Sequence, residues 1–322
     1  MKAGLKWLGI ALAVAGSATF IVHVMASLNF ADLRAHLSPR AVASLLAAIL
    51  LYSAVVPLGA LAWQRILAGL GPRAGYASLL SIMLTTQAGK YLPGNVGQHI
   101  GRIALSLSLG IPAALLGASM VYELALLLAA APLTAAAAAA LSQPGLVLLL
   151  DGRGSTLAVA AALAVIVLAA LPLASRLVPM LLRRIPARIA GRVAALPDLP
   201  VATMLGVIGI FALCLVCIGA SLGILALGLI YDAPIDFPLL TAAFAIAWVV
   251  GFVTPGAPAG IGVREALLLA MLGPSLGPVE APLLILAMRI ASTLSDALCF
   301  AIGLIVMARP RRAAYSERND DD

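Results

Sequence analysis

A run of polar side chains surrounds a proline-glycine pair in the first third of the chain. Its members are Lys90, Asn95, Gln98, His99 and Arg102. Pro93 lacks an N–H group and Gly94 loosens the backbone, so this stretch leaves peptide groups without helical partners. Gathered in a cavity, such groups favour binding of an anion such as a phosphate. The alternative is a solvent loop that joins two ordinary helices.

A second proline-glycine pair, Pro255-Gly256, leads to the charged pair Arg264 and Glu265. We expect these two side chains to lie at the start of a helix and at membrane depth, because the apolar run before them is short. The alternative is that Arg264 extends to the membrane interface with Glu265 as its neutralising partner.

Three further ionisable residues, Glu123, Arg289 and Asp296, lie inside long apolar runs. Charges in such positions are costly and are candidates for function. Arg289 and Asp296 are seven residues apart and share a helix face, so they favour a polar path. A structural ion pair between helices is the alternative for these two residues, whereas Glu123 has no partner nearby in sequence.

The amino-acid composition indicates the environment in which these residues lie. Hydrophobic residues make up 63% of the 322 residues and charged residues 10%, against roughly 45–50% and about 25% in soluble domains. The mean hydropathy is +1.12. A soluble enzyme, a disordered chain and a disulfide-stapled secreted protein are therefore excluded, and the sequence predicts an integral membrane protein.

The net charge of +7 comes from basic residues in short stretches between the apolar runs. Such residues set topology and contact anionic lipids, so we expect anionic inner-leaflet lipids as partners and no nucleic acid. The three histidines are scattered without zinc spacing, and Lys90 is not followed by Ser or Thr as in a phosphate-binding loop. We therefore expect no metal, no cofactor, no ATP hydrolysis and no enzymatic activity. The small residues Gly219 and Gly223 predict helix packing.

Because about 20 apolar residues cross a bilayer, the sequence predicts an all-α polytopic protein with about six full spans. These are residues 7–28, 41–63, 113–141, 155–181, 201–230 and 282–307. The broken segments 76–110 and 237–272 have halves too short to span and predict two re-entrant hairpins. Residues 1–310 then form one transmembrane domain, and 311–322 form a short charged cytoplasmic tail.

The loop charges predict the orientation. The basic stretches 176–192 and 309–312 belong in the cytoplasm, and the acidic loop 231–236 belongs outside. Both termini are then cytoplasmic, and the first hairpin enters from the cytoplasm while the second enters from outside. Segment 182–200 is either an amphipathic stretch on the inner leaflet or a loop.

An internal repeat relates the two broken segments. Arg102 lies eight positions after Gly94, and Arg264 lies eight positions after Gly256. Gly89 matches Gly251 at the same offset of 162 residues. Repeat halves of about 41–141 and 201–307, in opposite orientations and each with a broken helix, are typical of an inverted-repeat transporter.

At these two segments the sequence resembles the lysylphosphatidylglycerol synthase transmembrane region, also called the flippase-like domain. Lys90-Tyr91-Leu92-Pro93-Gly94 with Arg102, and Pro255-Gly256 leading to Gly262-Val263-Arg264-Glu265, carry the resemblance, which covers roughly residues 10–310. That domain is the membrane half of the bacterial multiple peptide resistance factor, which flips aminoacylated phosphatidylglycerol. One departure is Ala257-Pro258 in place of the usual second glycine. We expect this protein to lack the soluble aminoacyl-transferase domain, because only a short charged tail follows the last span.

The resemblance implies a lipid translocator in the bacterial inner membrane, with a phosphate-bearing headgroup passing through a polar cavity between the halves. Phospholipids, aminoacylated phosphatidylglycerol, polyprenyl-linked sugars and hopanoid-type lipids remain open as cargo, and a lipid-synthesising enzyme encoded nearby is a possible partner. The oligomeric state is open as well. The alternative function is a membrane-embedded transferase of lipid or envelope biosynthesis, with Glu123 or His99 as its base.

Overall fold

The computed structural model describes most of the predicted membrane domain. The described residues are 38–91, 97–142, 199–230, 234–254, 260 and 262–308. The predicted spans 7–28 and 155–181 and the basic and acidic stretches used for orientation lie outside them, apart from residues 234–236. So do Pro93, Gly94, Asn95, Pro255 and Gly256.

The described part is helical. Before residue 143 it contains α1 (Pro39–Ser53), α2 (Val55–Gly69), α3 (Tyr76–Thr86), α4 (Gly97–Ser106) and α5 (Ala113–Ala140). After residue 198 it contains α6 (Val201–Leu229), α7 (Phe237–Val253), α8 (Val263–Leu276) and α9 (Glu280–Ala308). Short 3₁₀ turns at Gln87–Tyr91 and Leu107–Leu109 flank α4.

Four stretches among the described residues are long and apolar enough to cross a membrane. They are Pro39–Gly69, Ala113–Ala140, Val201–Leu229 and Glu280–Ala308, which correspond to the predicted spans 41–63, 113–141, 201–230 and 282–307. The first is broken at Ala54, between α1 and α2. Pro57 explains the break, because its ring clashes with the carbonyl of Ser53 and it has no N–H group to offer that carbonyl.

The two predicted hairpins are built from shorter helices. α3, α4 and α8 have 11, 10 and 14 residues, or about 15–21 Å at 1.5 Å per residue, against a hydrocarbon core of about 30 Å. The two arms of each hairpin approach closely at a glycine. A Cβ atom on Gly89 would lie 2.6 Å from the Gln98 nitrogen, and one on Gly251 would lie 3.3 Å from the Gly260 Cα.

Helix α6 is the centre of the bundle and packs against α1, α2, α5, α7 and α9. At its contact with α7, a side chain on Gly219 or Gly223 would overlap Thr241 or Phe237. The predicted packing role of these small residues is therefore confirmed. Around this centre, α3 packs on α9 and α7 packs on α5, so the first arm of each hairpin lies on the span at the end of the other half.

Candidate functional site

A polar cavity of about 130 Å³ lies where the two hairpins meet. Five of the residues predicted from sequence line it, namely Lys90, Gln98, Arg264, Arg289 and Asp296. The 3₁₀ turn and α4 contribute residues from the first hairpin, α8 contributes Arg264 from the second, and α9 contributes the other two. The structure thus brings together residues that are up to 206 positions apart in the sequence.

The first ionic cluster at the cavity joins the first hairpin to α9. Lys90 Nζ lies 2.5 Å from Asp296 Oδ1, and the Tyr91 hydroxyl donates to Asp296 Oδ2 at 2.6 Å. The Asp296 side chain is only 5% exposed, whereas that of Lys90 is 21% exposed. One buried carboxylate is therefore satisfied by two neighbouring side chains of the 3₁₀ turn.

The second ionic cluster joins the second hairpin to α9. Glu265 Oε1 lies 3.2 Å from Arg289 Nη1 and 4.0 Å from Arg264 Nη2, and Glu265 Oε2 accepts the Gly262 N–H at 2.7 Å. Gly262 adopts φ +84°, a conformation that favours glycine, and it immediately precedes α8. Glu265 therefore fixes the start of α8 and holds two arginines with one carboxylate.

The balance of charge around the cavity is positive. Among the described residues, Lys90, Arg264 and Arg289 provide three positive charges, and Asp296 and Glu265 provide two negative charges. The guanidinium of Arg264 also packs over the Phe244 ring, 5.1 Å from its centroid. Because Arg264 shares the Glu265 carboxylate with Arg289 and lies 4.0 Å from it, its donors suit an anion that enters the cavity.

Arg102 and Glu123 form a separate cluster that is not part of the cavity lining within the described residues. Arg102 Nη1 and Nη2 donate to the two oxygens of Glu123 at 2.9 and 2.6 Å. The Arg102 side chain is 4% exposed and lies over the Trp63 ring, 4.0 Å from its centroid. Trp63 in turn donates to the Ser119 hydroxyl at 2.9 Å. Both donor groups at the end of the Arg102 side chain are therefore engaged by α5.

His99 lies next to this cluster rather than at the cavity. Its Nε2 atom is 3.4 Å from Gln98 Nε2, and its Nδ1 atom is buried without a hydrogen-bond partner among the described residues. Asn95 lies outside the described part of the chain. Binding of a headgroup by His99, Asn95 and Arg102 stays a prediction, as it does for the residues that line the cavity.

The aromatic residues of the cavity were not predicted from sequence. Tyr52, Tyr91, Trp248 and Phe252 line it, and Trp248 stacks on Phe252 with 5.2 Å between ring centroids. Tyr91 had a visible signal, because it follows Lys90 within the first break. Tyr52, Trp248 and Phe252 had none, since an aromatic residue in an apolar helix is equally suited to contact lipid.

The two hairpins are anchored by ion pairs of opposite polarity. In the first half the arginine is on the hairpin arm α4 and the glutamate is on the following span α5. In the second half the glutamate is on the arm α8 and the arginine is on the following span α9. Because of this reversal, Arg102 has both terminal nitrogens bound to Glu123, whereas Arg264 lies beside the cavity.

Comparison with known proteins gives one family. The family model described as the lysylphosphatidylglycerol synthase TM region matches residues 7–299. A search of curated proteins by sequence gave no match. The family match covers most of the chain, including both hairpins and all the ionic clusters described above. The chain therefore belongs to the lysylphosphatidylglycerol synthase TM region family and is a multi-pass membrane protein of a family associated with lipid handling.

Proposed function

We propose that this protein translocates an amphiphile with a phosphate-bearing headgroup across the bacterial inner membrane. The observation that carries the proposal is the polar cavity between the hairpins, with an excess of positive charge among the described residues and with Arg264 at its wall. A headgroup would enter this cavity while its hydrocarbon tails stay in the bilayer. The protein acts in this proposal as a carrier and not as an enzyme.

The chemistry of the cavity supports a phosphate as the bound group. Arginine presents two parallel N–H groups that match the oxygens of a phosphate, and lysine adds a mobile point charge. The cavity is lined by Arg264 from the second hairpin, Arg289 from α9 and Lys90 from the first hairpin. A phosphate between them would contact both hairpins at once.

The packing of the helices supports an inverted repeat of about 41–141 and 201–307. The repeat relates α1 and α2 to α6, α3 to α7, α4 to α8 and α5 to α9. When every helix is replaced by its counterpart, each principal contact between two helices corresponds to an observed contact. Thus α3 on α9 becomes α7 on α5, and α2 on α3 becomes α6 on α7. Gly89 and Gly251, matched in the sequence repeat, occupy the same place between hairpin arms. We include the spans at 7–28 and 155–181 in this arrangement, giving six spans and two re-entrant hairpins.

Translocation should occur in vesicles that contain only the purified protein and no nucleotide. The probe is phosphatidylglycerol with a fluorescent acyl chain, and dithionite added outside bleaches the outer leaflet. We expect the bleached fraction to exceed that of protein-free vesicles, because the cavity takes a phosphodiester and the sequence has no nucleotide-binding loop.

A strict requirement for ATP would contradict this proposal, and so would a bleached fraction equal to that of protein-free vesicles. Chromatography of the recovered lipid adds a second criterion. Conversion of the probe to a new lipid by the purified chain, with donor substrates supplied, would favour a membrane-embedded transferase.

The proposed orientation predicts which loops are accessible from outside the cell. After removal of Cys214, Cys217 and Cys299, a cysteine at Asp232 should react with an impermeant thiol reagent in intact cells. Cysteines at Arg183 and Arg309 should react only after the membrane is permeabilised, because basic loops stay in the cytoplasm. Labelling of position 183 in intact cells would contradict the inverted arrangement.

A further inference from the structure

We infer that Asp296 takes up a proton when a headgroup phosphate binds in the cavity, so that lipid and proton are bound together. This inference rests on the function proposed above and adds a coupling ion to it. It follows from the position of Lys90, which is both a cation of the cavity wall and the ion-pair partner of Asp296.

Lys90 is one of the two more accessible cations of the clusters that meet at the cavity. Its side chain is 21% exposed, against 22% for Arg289 and 11% for Arg264. Lysine has three donors on a flexible stem, so its ammonium group can turn from Asp296 towards an anion in the cavity. Asp296 would then share its ammonium partner with a phosphate, or lose that partner.

When two anions share one ammonium group in a buried site, their mutual repulsion favours protonation of one of them. A phosphodiester is a much stronger acid than a carboxylic acid, so the carboxylate is the group that accepts the proton. The Tyr91 hydroxyl remains within hydrogen-bond distance of Asp296 Oδ2 at 2.6 Å. The neutral acid therefore keeps one polar partner, which limits the cost of its burial.

The other carboxylates do not depend on a single cation of the cavity wall. Glu265 has two arginines and the Gly262 N–H as partners, and Glu123 has both terminal nitrogens of Arg102. A phosphate that draws on Arg264 still leaves Glu265 with Arg289. Asp296 is the carboxylate whose only cationic partner among the described residues is itself part of the cavity wall.

Among the described residues, no cation other than Lys90 forms an ion pair with Asp296. The titratable groups that face this region from the elements packed against α9 and from α9 itself are Lys90, Tyr91, Tyr52, Arg264, Glu265, Arg289 and Cys299. Helices α3 and α6 also pack on α9 and have no charged residue. Binding one phosphate anion with one proton leaves the net charge of the site unchanged.

The test measures protons bound per lipid bound, with the full chain in detergent. The probe is dihexanoylphosphatidylglycerol, which has a single phosphodiester, and calorimetry in buffers of different ionisation enthalpy gives the proton number. For the unmodified protein we expect about one proton taken up per probe, and an affinity that tightens about tenfold for each unit of falling pH. Asp296→Asn should bind the probe with almost no proton uptake and a nearly flat pH dependence.

Glu280→Gln is the matched control, because it removes a carboxylate from the start of the same helix outside the cavity lining. It should retain the proton uptake of the unmodified protein. If Asp296→Asn does not fold, the double variant Lys90→Gln/Asp296→Asn removes the buried pair as a unit and should also bind without proton uptake.

The outcomes separate the two proposals. Absence of probe binding by the unmodified protein would overturn the proposed function. Probe binding without proton uptake would overturn only the coupling, and proton uptake that survives in Asp296→Asn would show that another group takes the proton.

Discussion

Arg102→Met should lower the free energy of unfolding of the purified protein by about 3–5 kcal/mol, because it leaves a charge without its partner in the protein interior. Glu123 is bound at both oxygens by Arg102, and the pair is 14% and 4% exposed. The methionine keeps much of the side-chain volume over Trp63 but offers no donor. Denaturation in detergent, followed by tryptophan fluorescence, measures the loss.

The double variant Arg102→Met/Glu123→Leu separates a structural pair from a transport residue. Replacing both charges by apolar residues should restore most of the lost stability, and the double variant should then translocate phosphatidylglycerol at close to the normal rate. Arg65→Met is the control, since Arg65 is exposed on α2. A stable double variant with no translocation would instead assign Arg102 to the transport path, as the sequence repeat predicts.

Arg264→Lys should reduce translocation roughly ten- to hundredfold while leaving protein abundance nearly normal. The lysine preserves the charge but loses the paired donors that match a phosphate. Loss of one charged hydrogen bond corresponds to about 1.5–3 kcal/mol. Arg264 lies at the cavity wall and has only a 4.0 Å contact with Glu265, so its removal does not break a tight structural pair. The dithionite assay in vesicles measures the rate.

Arg65→Lys provides the matched control for this second prediction, because the same substitution is made on an exposed helix face outside the cavity lining. It should leave the rate unchanged. Reduced abundance of Arg264→Lys with normal translocation per molecule would mean that Arg264 anchors α8 and does not bind the headgroup.

The long helices could be predicted from the sequence because hydrophobic length is a local property. The four predicted spans that fall in the described residues each correspond to an apolar helical stretch, and the short arms α3, α4 and α8 lie in the predicted broken segments. The break at Ala54 was not predicted. Its cause is the single residue Pro57 in an otherwise apolar run. Membrane helices also tolerate proline without a break, so this residue does not by itself predict one.

The partners of Glu123 and Arg289 could not be predicted, because they depend on the register between a hairpin arm and the following span. Glu123 had no visible partner in sequence, yet Arg102 reaches it from 21 residues away. Aligning the two breaks made Arg102 and Arg264 equivalent by position. Their surroundings differ because the span that follows has a glutamate in one half and an arginine in the other.

The opposite polarity of these two anchors also distinguishes correct from incorrect docking while the chain assembles in the membrane. If α4 docked on α9 in place of α8, Arg102 would lie beside Arg289, and if α8 docked on α5, Glu265 would lose its contact with Arg289. Like charges placed together away from water cost several kcal/mol, whereas the observed pairings place each arginine beside a glutamate. The opposite polarity of the two anchors therefore favours the observed docking over an exchange of the two arms.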